Sequence, residues 1–182
     1  HPPQATPAQL EAFLAAFRNP HVKRAAVVSM DTGLRLSELR RIRLEDVDEG
    51  AALLRVVSSY ARGHTKTRRE RVIPLTPRAL AAILAGDRPD PFTSVPLNVR
   101  KALRAAQRAA GLPPFRWHDL RHYALTAAAN AGLQGHDLTL LAGWSSMAMA
   151  DRYIHSSVDR IRAALGSSPV TLPAAKAEGA GK

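Results

Sequence analysis

Residues 32–39 read Thr32-Gly33-Leu34-Arg35-Leu36-Ser37-Glu38-Leu39, a lone arginine just after a glycine and an acid three residues further on. Glycine readily adopts the left-handed conformation that ends helices, so Arg35 is predicted to lie at a helix junction. There its planar fork of five donors could hold a phosphate, with Glu38 bracing it from behind. A purely structural Arg–Glu pair is the alternative, and this stretch alone does not exclude it.

Helices are predicted on both sides of this junction. Capping residues followed by proline predict helices over 7–18 and from Pro20 to Gly33, and a short helix is expected at 37–43. Two β-branched runs at 51–59 and 69–75 predict an antiparallel hairpin with the polar segment 60–68 between them. Further helices are expected at 77–85, 97–110, 118–131, 137–141, 146–155 and 159–165, followed by a flexible tail over 168–182. The fold class is therefore α+β, mostly α-helical with a small antiparallel β-sheet.

The composition restricts the class of protein further. The 182 residues include 26 Lys and Arg against 15 Asp and Glu, a net charge of +11, and no Cys. The missing Cys excludes disulfides, thiol catalysis and a Cys-ligated zinc site. Without a long apolar run or a signal peptide, we expect a soluble cytoplasmic protein with no membrane-spanning segment. The charge favours a polyanionic partner, nucleic acid first and an anionic membrane surface second, with a merely solubilising charge as the alternative.

A basic loop and a histidine-rich helix start carry residue types suited to phosphate chemistry. Lys66 lies at the predicted hairpin tip, where neighbouring positive charges would favour proton donation, although most basic loops are only solvated or in contact with DNA. His118 and Arg121, spaced i and i+3, would project from one helix face. His118 and His122 also have the spacing of a zinc-binding helix, but Asp119 replaces the required Glu and no third ligand is evident, so no metal is expected. The simpler interpretation of His122 is a helix histidine held by packing.

Two further segments can be interpreted in two ways each. The helix predicted at 97–110 has its basic residues on one face, a pattern typical of a helix along a DNA groove or of a solvated surface. Trp144 and Tyr153 could each be a core aromatic. Trp144 could instead offer its indole N–H to an anion.

The order TGLRLSEL, GHTKTRRERVIPL, HDLRH, LAGW and DRYIH, spread over about residues 5–166, resembles the catalytic domain of the tyrosine recombinase (phage integrase) family. The family's His or Trp precedes its nucleophile by the nine residues that separate Trp144 from Tyr153. The resemblance implies Tyr153 as the nucleophile and Glu38 as a bracing acid. The other catalytic residues that it implies are Arg35, Lys66, His118, Arg121 and Trp144. Residues expected to contact DNA are Arg68, Arg69, Asn98, Arg100, Lys101 and Arg104.

This resemblance implies a site-specific DNA recombinase that cleaves and rejoins strands through a 3′-phosphotyrosyl intermediate, without metal or other cofactor. Its partner would be double-stranded DNA, on which the family forms homotetramers, whereas the isolated domain would be a monomer. The resemblance also implies a nucleoid-associated location and a catalytic domain over 1–167, with the family's usual N-terminal core-binding domain absent. A type IB topoisomerase and a DNA-binding module with a vestigial site remain as alternatives.

Overall fold

The computed structural model describes residues 5–58, 69–144, 146 and 148. Across these ranges the chain forms seven α-helices, one 3-10 turn and three strands. In chain order they are α1 (Pro7–Ala15), α2 (Pro20–Thr32), α3 (Leu36–Leu39), the 3-10 turn Leu44–Asp46, β1 (Val47–Asp48), β2 (Leu53–Ser58), β3 (Arg69–Pro74), α4 (Pro77–Leu84), α5 (Arg100–Ala109), α6 (Trp117–Asn130) and α7 (Gly135–Ala142). The expected mixed fold, mostly helical with a small antiparallel sheet, is confirmed.

Side-chain caps fix where the first two helices begin. Thr6 accepts a hydrogen bond from the backbone N–H of Gln9 at 3.2 Å, which caps α1. Asn19 accepts the N–H groups of His21 and Val22 at 2.9 and 3.3 Å, which caps α2. The prediction that the first helix runs to residue 18 was wrong. Asn19 must be extended to cap α2, so the chain leaves the helical conformation before it.

The predicted hairpin is part of a three-stranded antiparallel sheet of order β1-β2-β3. Leu54 pairs with Ile73 and Val56 with Arg71, so these four residues share one face of the β2–β3 pair. Leu54, Val56 and Ile73 are buried, which makes this the core face. The strand β1 was not predicted, because two residues are too few to show an alternating pattern.

Helix α2 is central to the core and packs against α4 and α6. Val22, Ala25, Ala26 and Val28 are almost fully buried along it. The indole Nε1 of Trp117, the first residue of α6, donates to the buried hydroxyl of Ser29 at 3.2 Å. A second apolar cluster joins α6 to α7 and contains Leu125, Ala129, Leu138 and Ala142. Helix α6 therefore connects the central helix to α7.

Several predicted helix bounds need correction. The helix expected at 97–110 begins at Arg100, because the side-chain oxygen of Asn98 accepts the Arg100 N–H at 3.1 Å and holds the preceding turn. The helix expected at 37–43 covers only Leu36–Leu39. The predicted helices at 146–155 and 159–165 and the predicted tail lie outside the described residues, except for residues 146 and 148. Within the described ranges, no helix is both long enough and apolar enough to cross a bilayer.

Candidate active site

Arg35 lies where the sequence predicts it, at the junction between α2 and α3. Gly33 ends α2 with φ of 67°, a conformation that side chains rarely adopt. A Cβ at this position would lie 3.3 Å from Leu125 Cδ2, so the glycine also allows α6 to pack closely. Arg35 is extended just before α3, and its side chain is 28% exposed. The junction thus presents an arginine that solvent can reach beside a tightly packed helix crossing.

Glu38 braces Arg35 through both the main chain and the side chain. Its carboxylate accepts the Arg35 backbone N–H at 2.9 Å and the Arg35 Nη1 at 3.1 Å. Burial raises the pKa of Glu38, but the hydrogen bonds and charges of Arg71 and Arg35 outweigh burial and hold that pKa below its ordinary value. The carboxylate is therefore ionised at neutral pH and fixes the start of α3.

Arg71 is a part of this site that the sequence analysis missed. From β3 its Nη1 and Nη2 donate to the two oxygens of Glu38 at 3.0 and 3.1 Å, a bidentate pair. Its Nε donates to the carbonyl oxygen of Leu141 at 3.2 Å, near the end of α7. The available signal was strand alternation, which places Arg71 on the same face as the buried Ile73.

Arg121 links the junction that carries Arg35 to the end of α7. Its Nη1 donates to the Gly33 carbonyl oxygen and its Nη2 to the Ala142 carbonyl oxygen, both at 2.6 Å. The residue is 3% exposed, and its Cζ lies 5.8 Å from the centre of the half-buried Trp144 ring. Because Gly33 and Ala142 each lie two residues from a predicted site residue, Arg121 brings Arg35 and Trp144 to one place.

His118 precedes Arg121 by three residues on α6, and solvent reaches its partly enclosed side chain. Partial burial lowers its pKa, and the positive charges of His122, Arg121 and Arg35 lower it further against the opposing effect of Asp119. The imidazole is therefore neutral at pH 7 and able to accept a proton. His122 packs edge-on against His118 with ring centres 4.9 Å apart, in line with a packing role.

The structure thus brings together Arg35, Glu38, His118, Arg121 and Trp144. The predicted residues Lys66, Arg68 and Tyr153 lie outside the described residues. Arg69 is the first residue of β3. Across the described ranges, no group of three or more His, Asp or Glu side chains could hold a metal ion.

Helix α5 presents a basic face to solvent. Arg100, Lys101 and Arg104 are exposed, whereas Leu103 and Ala106 are buried on the opposite face. Asn98 is exposed too, but it lies before the helix, and its side-chain oxygen accepts the Arg100 N–H. The expected segregation of charge on this helix is confirmed.

The match to known proteins agrees with this geometry. The model of the phage integrase family matches residues 4–85 and 94–160. Tyrosine recombinase XerC from Mycobacterium sp. (strain KMS) is 30% identical over 151 residues, covering 72% of this chain and 48% of the relative. XerC from Mycobacterium tuberculosis (strain CDC 1551 / Oshkosh) has the same identity and coverage. The chain belongs to the phage integrase family, and it spans about half the length of the relatives that it matches.

Solved structures show the same fold. The catalytic domain of bacteriophage HP1 integrase has a TM-score of 0.71 at 19% identity, covering 94% of this chain and 98% of that one. The Tn1549 transposon integrase, solved in complex with transposon right end DNA, has a TM-score of 0.70 at 20% identity and covers 91% of this chain and 66% of that one. XerA recombinase has a TM-score of 0.67 at 18% identity, with coverage of 94% and 65%. At these identities the likeness establishes the fold, which is that of tyrosine recombinase catalytic domains.

Proposed function

We propose that this chain is the catalytic part of a site-specific DNA recombinase, with residues 1–167 as its catalytic domain. It breaks and rejoins strands through a covalent 3′-phosphotyrosyl link. The observation that carries this proposal is the position of Arg121, bonded at 2.6 Å to the carbonyls of both Gly33 and Ala142. In this proposal two arginines, a neutral histidine and an indole donor surround one locus. Such a set suits the negative charge that develops on a phosphodiester under attack.

In the proposed reaction, the phenol oxygen of Tyr153 attacks the scissile phosphorus in line with the departing 5′ oxygen. The phenol proton passes to His118, whose lowered pKa keeps the imidazole neutral and ready to accept it. Lys66 gives a proton to the departing oxygen. One phosphodiester is exchanged for another, so a 5′ hydroxyl can reverse the step without an external energy source.

Arg35, Arg121 and the Trp144 N–H stabilise the charge on the nonbridging oxygens in this proposal. Guanidinium groups hold such oxygens with two donors at a fixed geometry. The Trp144 indole has one donor and no acceptor, so it can bind an oxygen but cannot transfer a proton. His118 is thus the group in the described part of the site that moves the proton.

The DNA substrate would be contacted outside the site by Arg68, Arg69, Asn98 and the basic face of α5 formed by Arg100, Lys101 and Arg104. An exposed row of positive charges on one helix face suits the phosphate backbone or a groove. We further propose a homotetramer on DNA and a monomer in its absence, in a nucleoid-associated, cytoplasmic setting. A neighbour in fold solved with DNA supports the choice of partner.

The test is covalent capture of DNA. The full-length protein is incubated with nicked duplexes of random sequence, and complexes that survive denaturation are isolated and their DNA sequenced. The proposal predicts a shared sequence joined to the protein through its 3′ phosphate. Relaxation of supercoiled plasmid without recombinant product would indicate a type IB topoisomerase instead. Salt-dependent binding with no adduct would indicate a DNA-binding module without catalysis.

A further inference from the structure

Two arginines hold the last carbonyls of α7. The carbonyls of a helix's final turn have no partners within the helix and favour positive charge. Arg71 donates to the Leu141 carbonyl at 3.2 Å, and Arg121 donates to the next one, that of Ala142, at 2.6 Å. The two arginines come from different elements, β3 and α6.

The same two arginines also hold both ends of the segment that carries Arg35. Arg121 bonds the Gly33 carbonyl, two residues before Arg35, whereas Arg71 bonds the Glu38 carboxylate, three residues after it. Each arginine therefore links residues 33–38 to the end of α7, and the two links are separate. Trp144 follows two residues after the second of the bonded carbonyls.

We propose that Arg71 is a positioning residue of this site, which together with Arg121 fixes the end of α7 to residues 33–38 and thereby sets the relative placement of Arg35 and Trp144. The proposal rests on the proposed function. Arg71 does not itself reach substrate in this account. Both of its terminal nitrogens donate to the Glu38 carboxylate, which compensates its charge, and its side chain is 9% exposed. Arg121, by contrast, donates to the uncharged carbonyl oxygens of Gly33 and Ala142.

Gly143 supplies a second, independent observation. A Cβ on this residue would lie 2.6 Å from Arg71 Nη1 and 2.8 Å from Arg71 Cζ, closer than real contacts allow. The guanidinium cannot move aside without leaving Glu38, since both of its terminal nitrogens are bonded there. The glycine before Trp144 is therefore needed for the space that Arg71 occupies, in addition to its φ of 64°.

The experiment compares two variants with two matched controls. Arg71→Lys keeps the positive charge but cannot form the bidentate hydrogen bonds to Glu38. Gly143→Ala adds a methyl group that would clash with the Arg71 guanidinium. Arg78→Lys removes another bidentate pair, the one with the buried Asp31. Gly111→Ala carries the same strain, because Gly111 also has φ of 64° but a Cβ there would meet nothing within 4 Å.

The first readout does not require DNA chemistry. The chain has two tryptophans, so fluorotryptophan labelling gives two fluorine NMR signals, which Trp144→Phe assigns. Arg71→Lys and Gly143→Ala are expected to shift the Trp144 signal and to leave the Trp117 signal in place, and the two controls are expected to shift neither. A Trp144 signal that stays in place in Arg71→Lys would overturn the proposal, even if the protein proves to have no recombinase activity.

The second readout is the single-turnover rate of covalent adduct formation on the captured DNA. A misplacement of about 1 Å costs up to about 100-fold in rate, so we expect a loss of about 10- to 100-fold in Arg71→Lys and Gly143→Ala, with DNA affinity retained. The controls should stay within about twofold. With Arg35→Lys as background, Arg71→Lys should cost clearly less than it does alone, because it acts through the same group. Fully additive losses, or equal losses in the controls, would mean a merely structural role.

Discussion

The guanidinium of Arg121 lies over the indole of Trp144, with Cζ 5.8 Å from the ring centre. A cation over an aromatic face is attracted by the negative face of the ring. In this chain the contact also fixes the ring against a group that is itself held by two carbonyls. The orientation of the Trp144 N–H is thus linked to the arginine expected to bind the same phosphate.

Replacing Trp144 with Phe should separate packing from hydrogen bonding. The phenyl ring keeps most of the apolar contact but loses the donor. One hydrogen bond is worth about 1 to 1.5 kcal/mol, so the rate of adduct formation should fall about tenfold, measured in a single turnover on a nicked duplex.

Trp117→Phe is the matched control, because it removes the chain's other indole N–H from a buried bond to Ser29. It should lower the free energy of unfolding by about 2 kcal/mol and leave the rate nearly unchanged at a temperature where the variant is folded. Equal effects of the two substitutions on the rate would argue against a phosphate contact by Trp144.

The fall in the rate of adduct formation at low pH should reflect protonation of His118. Its pKa is lowered by partial burial and by neighbouring positive charges, so the neutral form predominates above the ordinary value of 6.5. The rate of adduct formation should therefore be level above that pH and fall only as the pH drops through the lower pKa of the folded protein. His118→Gln should lose this fall at low pH and about 100-fold in rate.

His136→Gln offers a control on an exposed histidine of α7. This variant should have the same rate of adduct formation as the wild type and the same fall in rate at low pH. A fall at low pH that survives in His118→Gln would assign the proton transfer to another group.

Glu38 should make the free energy of unfolding depend on pH. Its pKa in the folded protein is held below the ordinary value of 4.5, so its ionised form stabilises the fold above that pH, and this contribution is lost as the pH falls through the lower value. Glu38→Gln leaves the buried charge of Arg71 uncompensated, which should cost about 3 kcal/mol at pH 7. Denaturant unfolding at pH 7 and at about pH 3 should show this difference shrinking in acid.

The exposed Glu45 provides the comparison, since its side chain is 66% exposed. Glu45→Gln should cost about 0.5 kcal/mol or less at either pH. A Glu38→Gln penalty that is the same at both pH values would show that folding does not lower the pKa of Glu38.

The basic face of α5 should be visible in the salt dependence of DNA binding. Each phosphate contact contributes a slope of about 0.9 to the plot of log affinity against log salt. Arg104→Ala should lower the slope by about that amount on any duplex. Lys23→Ala removes an equal charge from an exposed position on α2 and should leave the slope nearly unchanged. The same decrease in both variants would mean that α5 has no special place in the interface.

Local signals in the sequence were sufficient for much of the site. The glycine stop at Gly33 and the spacing of Arg35 and Glu38 predicted a braced arginine at a helix junction, and the structure has it. The i, i+3 spacing of His118 and Arg121 predicted a shared face. These features depend on residues within one turn of each other, so helix geometry alone determines them.

Arg71 could not be found in this way. Arg71 lies two residues from the buried Ile73 on β3, which indicates that its side chain points inward. The role of a buried arginine is clear, however, only when the group that accepts its hydrogen bonds is known. That acceptor, Glu38, is 33 residues away in sequence and meets β3 only through the packing of α3 on the sheet. The end of the first helix was missed for a similar reason, since the cap at Asn19 competes with a local pattern that would continue the helix.

The most direct test of the account is the covalent link to Tyr153. The wild type and Tyr153→Phe are incubated with the same nicked duplex, and adducts are separated under denaturing conditions while DNA binding is measured in parallel. We expect an adduct for the wild type and none for Tyr153→Phe, because the substitution removes the hydroxyl that acts as the nucleophile. Affinity for the duplex should be nearly unchanged, because no positively charged side chain is altered. A Tyr153→Phe protein that still forms the adduct would contradict the account.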